Sequence, residues 1–372
     1  MTMKIGVTGA TGTIGFAFCR QLQESMARVN INALCRKPSF PDQAQKYATV
    51  KEGLQGIKWV ETGIETLNPA TLRQLTDQCQ VIAHFAGWVA HKIPEDQAGN
   101  VIKLNVLWPA ILSLLARESG VTRFLYASTR MIYGFIPKTP EGEKIKAAGL
   151  TEEALLDLSE YKSWMETTLP EITGFAADYV RGSSTNIDSF VSHLLQAHPI
   201  PNGTRDLYGL SKYMGEQIVS ALWDQGIMGI CLRFAPVFGP SPIDSMERAI
   251  PLLASKVYAG SEVTVMPWSN SFLYLENLIP ALVEATQGAI SREESIIHFG
   301  PHKKAFTQEQ AARLLIEIAG SSNPVRVIGA PARTDELLDV TRAQKILGLR
   351  ETPFQEALQA TYAYFAKHRL TN

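Results

Sequence analysis

In Lys4-Ile5-Gly6-Val7-Thr8-Gly9-Ala10-Thr11-Gly12-Thr13-Ile14-Gly15, a short apolar run leads into the spacing G-x-x-G-x-x-G. The run reads as a buried strand. Apolar residues from Ile14 to Met26 then recur at helical spacing, before a second strand-like run at Val29 to Leu34. This is a βαβ unit with its glycines at the strand-to-helix turn. Gly9 permits the sharp turn, Gly12 lets backbone approach a pyrophosphate, and the N-terminus of the helix that follows directs amides and the positive end of its dipole at that anion. Thr11, Gly12, Thr13 and Ile14 lie on this edge, with Thr13 and Ile14 offering the amides.

Working outward, strand-like runs recur at Ile57 to Val60, Val81 to Phe85, Phe124 to Ala127 and Ile227 to Phe234. Helical stretches such as Leu104 to Glu118 and Leu210 to Asp224 separate them. Such alternation predicts an α/β fold, a Rossmann-type doubly wound parallel sheet with helices on both faces. The expected division is a nucleotide-binding domain at 1–239 and a smaller mixed α/β substrate-binding lobe at 240–372, interleaved with the first. From about Ile136 to Pro201 the rhythm breaks. An acidic helix-like segment, Thr151 to Glu166, is followed by an irregular run, Gly174 to Asn186, and the whole is expected to be an insertion over the active-site mouth.

The chain has 372 residues, 45% of them hydrophobic and 19% charged, enough to bury a large core. A formal net charge of −1 and the absence of basic runs argue against a nucleic-acid footprint or a membrane-surface patch. Cys19, Cys35, Cys79 and Cys231 are scattered, without metal-ligand spacing, so no metal is expected and the thiols read as reduced core residues of a cytoplasmic protein. The amino terminus passes straight into a strand pattern with no signal-peptide layout, and no apolar run is expected to span a membrane.

Two further features point to redox chemistry on a nicotinamide. Arg36 and Lys37 close the second strand where an NAD enzyme normally offers a carboxylate to the ribose 2′-OH; positive charge there suits a 2′-phosphate, hence NADP(H). In Tyr208-Gly209-Leu210-Ser211-Lys212, a phenol and an ammonium share one helical face, so the cation can bring the phenol toward ionisation at working pH.

With these residues in place, the sequence resembles the extended short-chain dehydrogenase/reductase family over nearly its whole length. Besides the glycine run and Tyr208/Lys212, the resemblance rests on His84-Phe85-Ala86-Gly87, Asn105, and Ser128-Thr129-Arg130-Met131-Ile132-Tyr133-Gly134. It continues in Leu232-Arg233-Phe234-Ala235-Pro236-Val237-Phe238-Gly239-Pro240, Phe272-Leu273-Tyr274-Leu275-Glu276-Asn277 and Leu347-Gly348. The resemblance implies that Thr129, in preference to Ser128, is the catalytic hydroxyl, that Tyr208 transfers the proton, and that Lys212 binds the nicotinamide ribose. It also implies that Ala86 and Gly87 line the adenosine-side ribose and that Pro236 and Val237 meet the carboxamide. Ile64 stands where relatives often carry an adenine-contacting aspartate. Family members often dimerise through the helices following Asn105 and preceding Tyr208, which the resemblance fits to Leu104 to Glu118 and Leu210 to Asp224 and extends to a homodimer as an expectation.

The departures narrow the substrate. Nucleotide-sugar members usually have asparagine at Pro236 and arginine at Asn270 to bind the diphosphate, and their absence removes charge-assisted hydrogen bonds. Dehydratases would carry a carboxylate pair where Arg130 and Met131 stand. Trp88, Ser128, Thr129, Met131, Phe135, Phe238 and Trp268 are the candidate substrate contacts, and most are aromatic or apolar. The leading expectation is an NADP(H)-dependent oxidoreductase interconverting a ketone and a secondary alcohol on a medium-sized, mainly apolar small molecule. The alternative is a nucleotide-sugar epimerase that retains NAD.

Overall fold

A computed structural model describes residues 2–36, 41–62, 68–89, 93–136, 139–154, 156–183, 186–243, 248–267, 269–301, 304–329 and 337–368. Lys37, Ile64 and Trp268 lie outside the described residues, as do the side chains of Arg36 and Asn270. The chain forms two compact units, the first comprising Met1–Gly142, Glu153–Arg233 and Ala289–Ile297, the second Glu143–Glu152, Phe234–Gly288 and His298–Asn372. One of the points at which the chain changes unit lies between Arg233 and Phe234.

The principal sheet is built from β1 (Met3–Thr8), β2 (Val29–Arg36), β3 (Lys58–Thr62), β4 (Val81–His84), β5 (Arg123–Thr129), β6 (Met228–Phe234) and a last strand, Ile296–Phe299. Their spatial order is Ile296–Phe299, β6, β5, β4, β1, β2, β3. β1 pairs in parallel with β2 on one side and β4 on the other, and β2–β3 and β4–β5 are also parallel. After β3 the chain crosses back to lay β4 against β1. The strand order reverses there, so the carboxyl ends of β1 and β4 flank a crevice, the usual ligand position in a doubly wound sheet. Ile5, Val7, Ile82, Ala83, Phe124 and Leu125 are fully buried, as a sheet covered on both faces requires.

The predicted helix at Leu104 starts earlier. Ala98–Ile102 runs into a π-helical turn, Lys103–Leu107, and then into Trp108–Glu118. Pro109 has no N–H to bond the carbonyl of Asn105 four residues back, and the Tyr126 hydroxyl donates to that carbonyl instead, at 3.1 Å. Contrary to the sequence reading, Glu95–Glu118 is long and apolar enough by composition to cross a membrane; 83% of its apolar window is buried inside the protein.

The insertion also departs from expectation. Residues expected to be irregular from Gly174 onward continue a single helix, Ser159–Arg181, which ends at Gly182 in the left-handed conformation (φ 81°). Tyr161, Trp164, Thr168, Ile172, Ala176 and Tyr179 form one buried stripe, and burying it outweighs the helix-breaking tendencies of Pro170 and Gly174. The helix packs on Trp108–Glu118, and the following helix, Ile187–Ala197, is tied in by an ion pair between Lys103 and Asp188 at 2.7 Å. Within one chain Trp108, Ile111, Leu112 and Leu115 of helix Trp108–Glu118 are buried and Leu114 is half-buried.

In the second unit, helices Ala249–Tyr258, Gln308–Ala319 and Phe354–His368 pack together, and Val263–Val265 pairs in parallel with Val325–Val327. All four cysteines are buried free thiols, and burial pushes that of Cys79 up to about 12. Among the described residues no cluster of His, Cys, Asp and Glu could hold a metal ion.

Candidate active site

The glycine turn closes on itself and on the end of β4. Gly9 is left-handed (φ 73°), and a Cβ there would stand 2.7 Å from the Ala86 nitrogen. A Cβ on Gly15 would stand 2.2 Å from the Gly9 carbonyl oxygen, and the Gly12 amide donates to the same oxygen at 2.8 Å. Thr8 extends the contact, its hydroxyl accepting from the Ala86 amide at 3.1 Å and hydrogen-bonding His84 Nδ1 at 2.7 Å. Gly12 caps helix Thr13–Ser25 in extended conformation and offers its first-turn amides no side-chain partner. Thr13 is buried while Thr11 and Ile14 are half-buried. A glycine-rich turn at a helix start, beside the switch point of the sheet, fits a dinucleotide pyrophosphate. Arg36 ends β2 opposite Thr62.

Beyond β4, Ala86, Gly87 and Trp88 are half-buried. Asn105 clamps Trp88 from both sides, its Oδ1 accepting from the Trp88 amide at 2.8 Å and its Nδ2 donating to the Trp88 carbonyl at 3.2 Å and to Ser211 Oγ at 3.0 Å. A Cβ on Gly87 would meet Lys212 Nζ at 2.8 Å and Asn105 Oδ1 at 2.9 Å, so a side chain there would displace one or both polar groups. The Trp88 indole nitrogen is buried with no hydrogen-bond partner among the described residues.

Tyr208 and Lys212 lie one turn apart on helix Leu207–Ser220. Lys212 is buried, and its ammonium donates to the Ala127 carbonyl at 2.8 Å and lies 4.9 Å from the centre of the Tyr126 ring. Burial pulls its pKa down to about 7, with Glu216 opposing. His84, fully buried, is held neutral: burial first, and Lys212 second, lower its pKa to about 3. Thr129 ends β5, and its hydroxyl oxygen accepts from the Met131 amide at 3.2 Å, which leaves the hydroxyl proton to be donated elsewhere. The 3-10 turn Arg130–Phe135 presses on the start of the Tyr208 helix, where a Cβ on Gly209 would stand 2.9 Å from the Met131 carbonyl oxygen.

Two candidate substrate contacts have partners within the fold. Ser128 is engaged inward, its hydroxyl donating to Glu216 Oε1 at 2.5 Å, because successive residues of a strand face opposite sides. Phe135 packs edge-on against Tyr161, its ring centre 5.4 Å away, and belongs to the core. Met131 is half-buried. Pro236, Val237 and Phe238 belong to the second unit, where the Pro236 carbonyl accepts from Leu273 and Phe238 packs among Phe272, Tyr274 and Phe354.

Sequence reasoning missed the partners of Ser128. Glu216 accepts from Arg233 Nε at 2.9 Å and Nη2 at 2.7 Å, and Arg233 Nη1 donates to the Tyr133 hydroxyl at 2.6 Å. Glu216 stands one helical turn beyond Lys212, a spacing that could have drawn attention to it.

The model of the NAD dependent epimerase/dehydratase family matches residues 5–153 and 178–294. The chain belongs to this family. The stretch that the epimerase/dehydratase model leaves unmatched, 154–177, falls largely within helix Ser159–Arg181 and is shorter than the insertion expected from about Ile136 to Pro201, both ends of which the model matches. Solved structures share the fold. The UDP-glucuronic acid 4-epimerase of Bacillus cereus, in complex with NAD, is 18% identical with a TM-score of 0.71, covering 98% of this chain and 97% of that one. UDP-glucose 4-epimerase of Thermotoga maritima, with UDP-glucose, is 20% identical with a TM-score of 0.70, covering 98% and 99%. dTDP-glucose 4,6-dehydratase of Streptomyces venezuelae, with NAD and TYD bound, is 19% identical with a TM-score of 0.71, covering 99% and 98%. No curated protein matches the chain. Membership of the epimerase/dehydratase family agrees with the resemblance to extended short-chain dehydrogenases/reductases.

Proposed function

We propose that the protein is an NAD(H)-dependent oxidoreductase of the epimerase type, interconverting a secondary alcohol and a ketone at one carbon of a sugar-like substrate. The observation that carries this reading is the Lys212 ammonium, buried against Gly87 and bonded to the strand end that bears Thr129, one turn from Tyr208. Tyr208 removes the alcohol proton and returns it, Thr129 donates a hydrogen bond to the substrate oxygen, and Lys212 supplies the positive charge that favours phenolate. Gly9, Gly12, Thr13 and Ile14 hold the pyrophosphate, and Ala86 and Gly87 border the ribose. The dinucleotide, when bound, supplies the hydride acceptor. NAD is favoured by the family description and by the Bacillus cereus and Streptomyces venezuelae relatives determined with NAD.

A second reading, an NADP(H)-dependent ketone reductase for a mainly apolar substrate, is favoured by Arg36 and Lys37 after β2 and by Pro236 and Asn270 in place of diphosphate ligands. The test is to purify the protein without added nucleotide, denature it, identify released nucleotide by mass spectrometry, and titrate native protein with NADH and NADPH. Retained NAD supports the epimerase reading. An empty site preferring NADPH moves the assignment to the reductase, and binding of neither overturns both.

A further inference from the structure

We propose that the buried Glu216–Arg233 pair is a positioning device that staples the segment Ala127–Tyr133 to the catalytic helix and so fixes the Thr129 hydroxyl; the inference rests on the proposed role of Thr129. Three points of this segment are held. The Ala127 carbonyl accepts from Lys212, the Ser128 hydroxyl donates to Glu216, and the Tyr133 hydroxyl accepts from Arg233. Lys212 and Glu216 project from one face of helix Leu207–Ser220, and Arg233 comes from β6, the neighbour of β5 in the sheet. Glu216, Arg233, Tyr133 and Ser128 are all buried.

The arrangement does more than neutralise a charge. A buried ion pair contributes little net stability against an apolar replacement, whereas its directional hydrogen bonds define geometry. Ser128 and Thr129 face opposite sides of β5, so holding Ser128 on one side sets the rotation of the strand end that presents Thr129 on the other. Tyr133 lies within the 3-10 turn that Thr129 caps, so the segment is held on both flanks of the hydroxyl. The hydroxyls of Ser128 and Tyr133 bond Glu216 and Arg233, and their effect on turnover runs through Thr129.

The test uses Ser128→Ala and Tyr133→Phe, which remove one staple each and leave Glu216 and Arg233 paired. Protein as purified is labelled with 13C-methyl threonine, and the Thr129 methyl signal is the one lost in Thr129→Ser. Both variants are expected to keep nucleotide affinity within about twofold, to shift or broaden the Thr129 signal, and to lower kcat on UDP-glucose or a responsive member of a ketone panel about tenfold or more at unchanged KM, since small misplacements of catalytic groups cost that much. The double variant should lose less than the product of the two singles, because both act on one segment. An unmoved Thr129 signal in both variants overturns the proposal, as does full kcat beside a moved signal. Failure of the unmodified protein to bind either nucleotide would overturn the hydride-transfer reading instead, and the methyl signal would then judge the staple by itself.

Discussion

Lys212 and Ala127 are joined by a hydrogen bond of 2.8 Å, which places a buried ammonium on a backbone carbonyl at the end of β5. The carbonyl's partial charge offsets only part of the lost hydration, so the lysine pKa falls from 10.5 to about 7 on folding. Between those values the unfolded chain binds the proton that the folded protein releases, so this group's contribution to stability rises with pH from about 7 toward 10.5. Thermal unfolding of the nucleotide-free protein should show wild type gaining on Lys212→Met as pH is raised from neutrality to about 9.5. A constant difference across that range would contradict the burial cost.

Tyr208→Phe removes the proton carrier and leaves the ring. Turnover should fall by at least about two to four orders of magnitude, the range for loss of a general acid/base, while NADH binding measured by fluorescence is retained. Undiminished kcat would remove Tyr208 from the mechanism.

Glycine substitutions should separate by site. Gly15→Ala drives a methyl to 2.2 Å from the Gly9 carbonyl oxygen, and should cost on the order of 1–3 kcal/mol and weaken nucleotide binding. Gly174→Ala, with no atom within 4 Å of the new Cβ in a helical stretch, should raise stability by roughly 0.5–1 kcal/mol in urea unfolding. Equal effects would mean that the turn is looser than its contacts indicate.

Arg36→Asp tests the 2′-phosphate reading. If Arg36 meets that phosphate, the ratio of NADPH to NADH affinity should fall by about tenfold or more, the scale of a lost charge-assisted hydrogen bond. An unchanged ratio in paired titrations would leave NAD as the natural cofactor and remove the chief argument for a ketone reductase.

Light scattering after gel filtration addresses oligomeric state. With Trp108–Glu118 covered by Ser159–Arg181, the protein should elute at the 41.0 kDa of one chain. A mass twice as large would show that a surface other than this helix pairs the copies.

Much of this was legible in the sequence, because the signals were local. The period changes around Gly9–Gly15 mark a βαβ turn from a dozen residues, and Tyr208 and Lys212 declare a shared helical face by spacing alone. Helix Ser159–Arg181 was misread because Pro170 and Gly174 are strong local signals, whereas the stripe from Tyr161 to Tyr179 gains its energy only from the surface it meets. The choice between Ser128 and Thr129 depends on which side of β5 faces Glu216, and that pairing joins residues far apart in the chain. The link from Glu216 to Arg233 and Tyr133 was invisible for the same reason.

Pro109 has a consequence for how this chain can change over time. The carbonyl it strands at Asn105 is satisfied by Tyr126, and that hydroxyl fits only because Gly215, where a Cβ would come within 2.1 Å of it, has none. Restoring an N–H at 109 gives the carbonyl a second suitor, shortening Tyr126 leaves it bare, and enlarging Gly215 expels the phenol. Three positions on two helices and a strand therefore meet at one carbonyl, and what Gly215 can become depends on what stands at 126, although no two are neighbours in the gene.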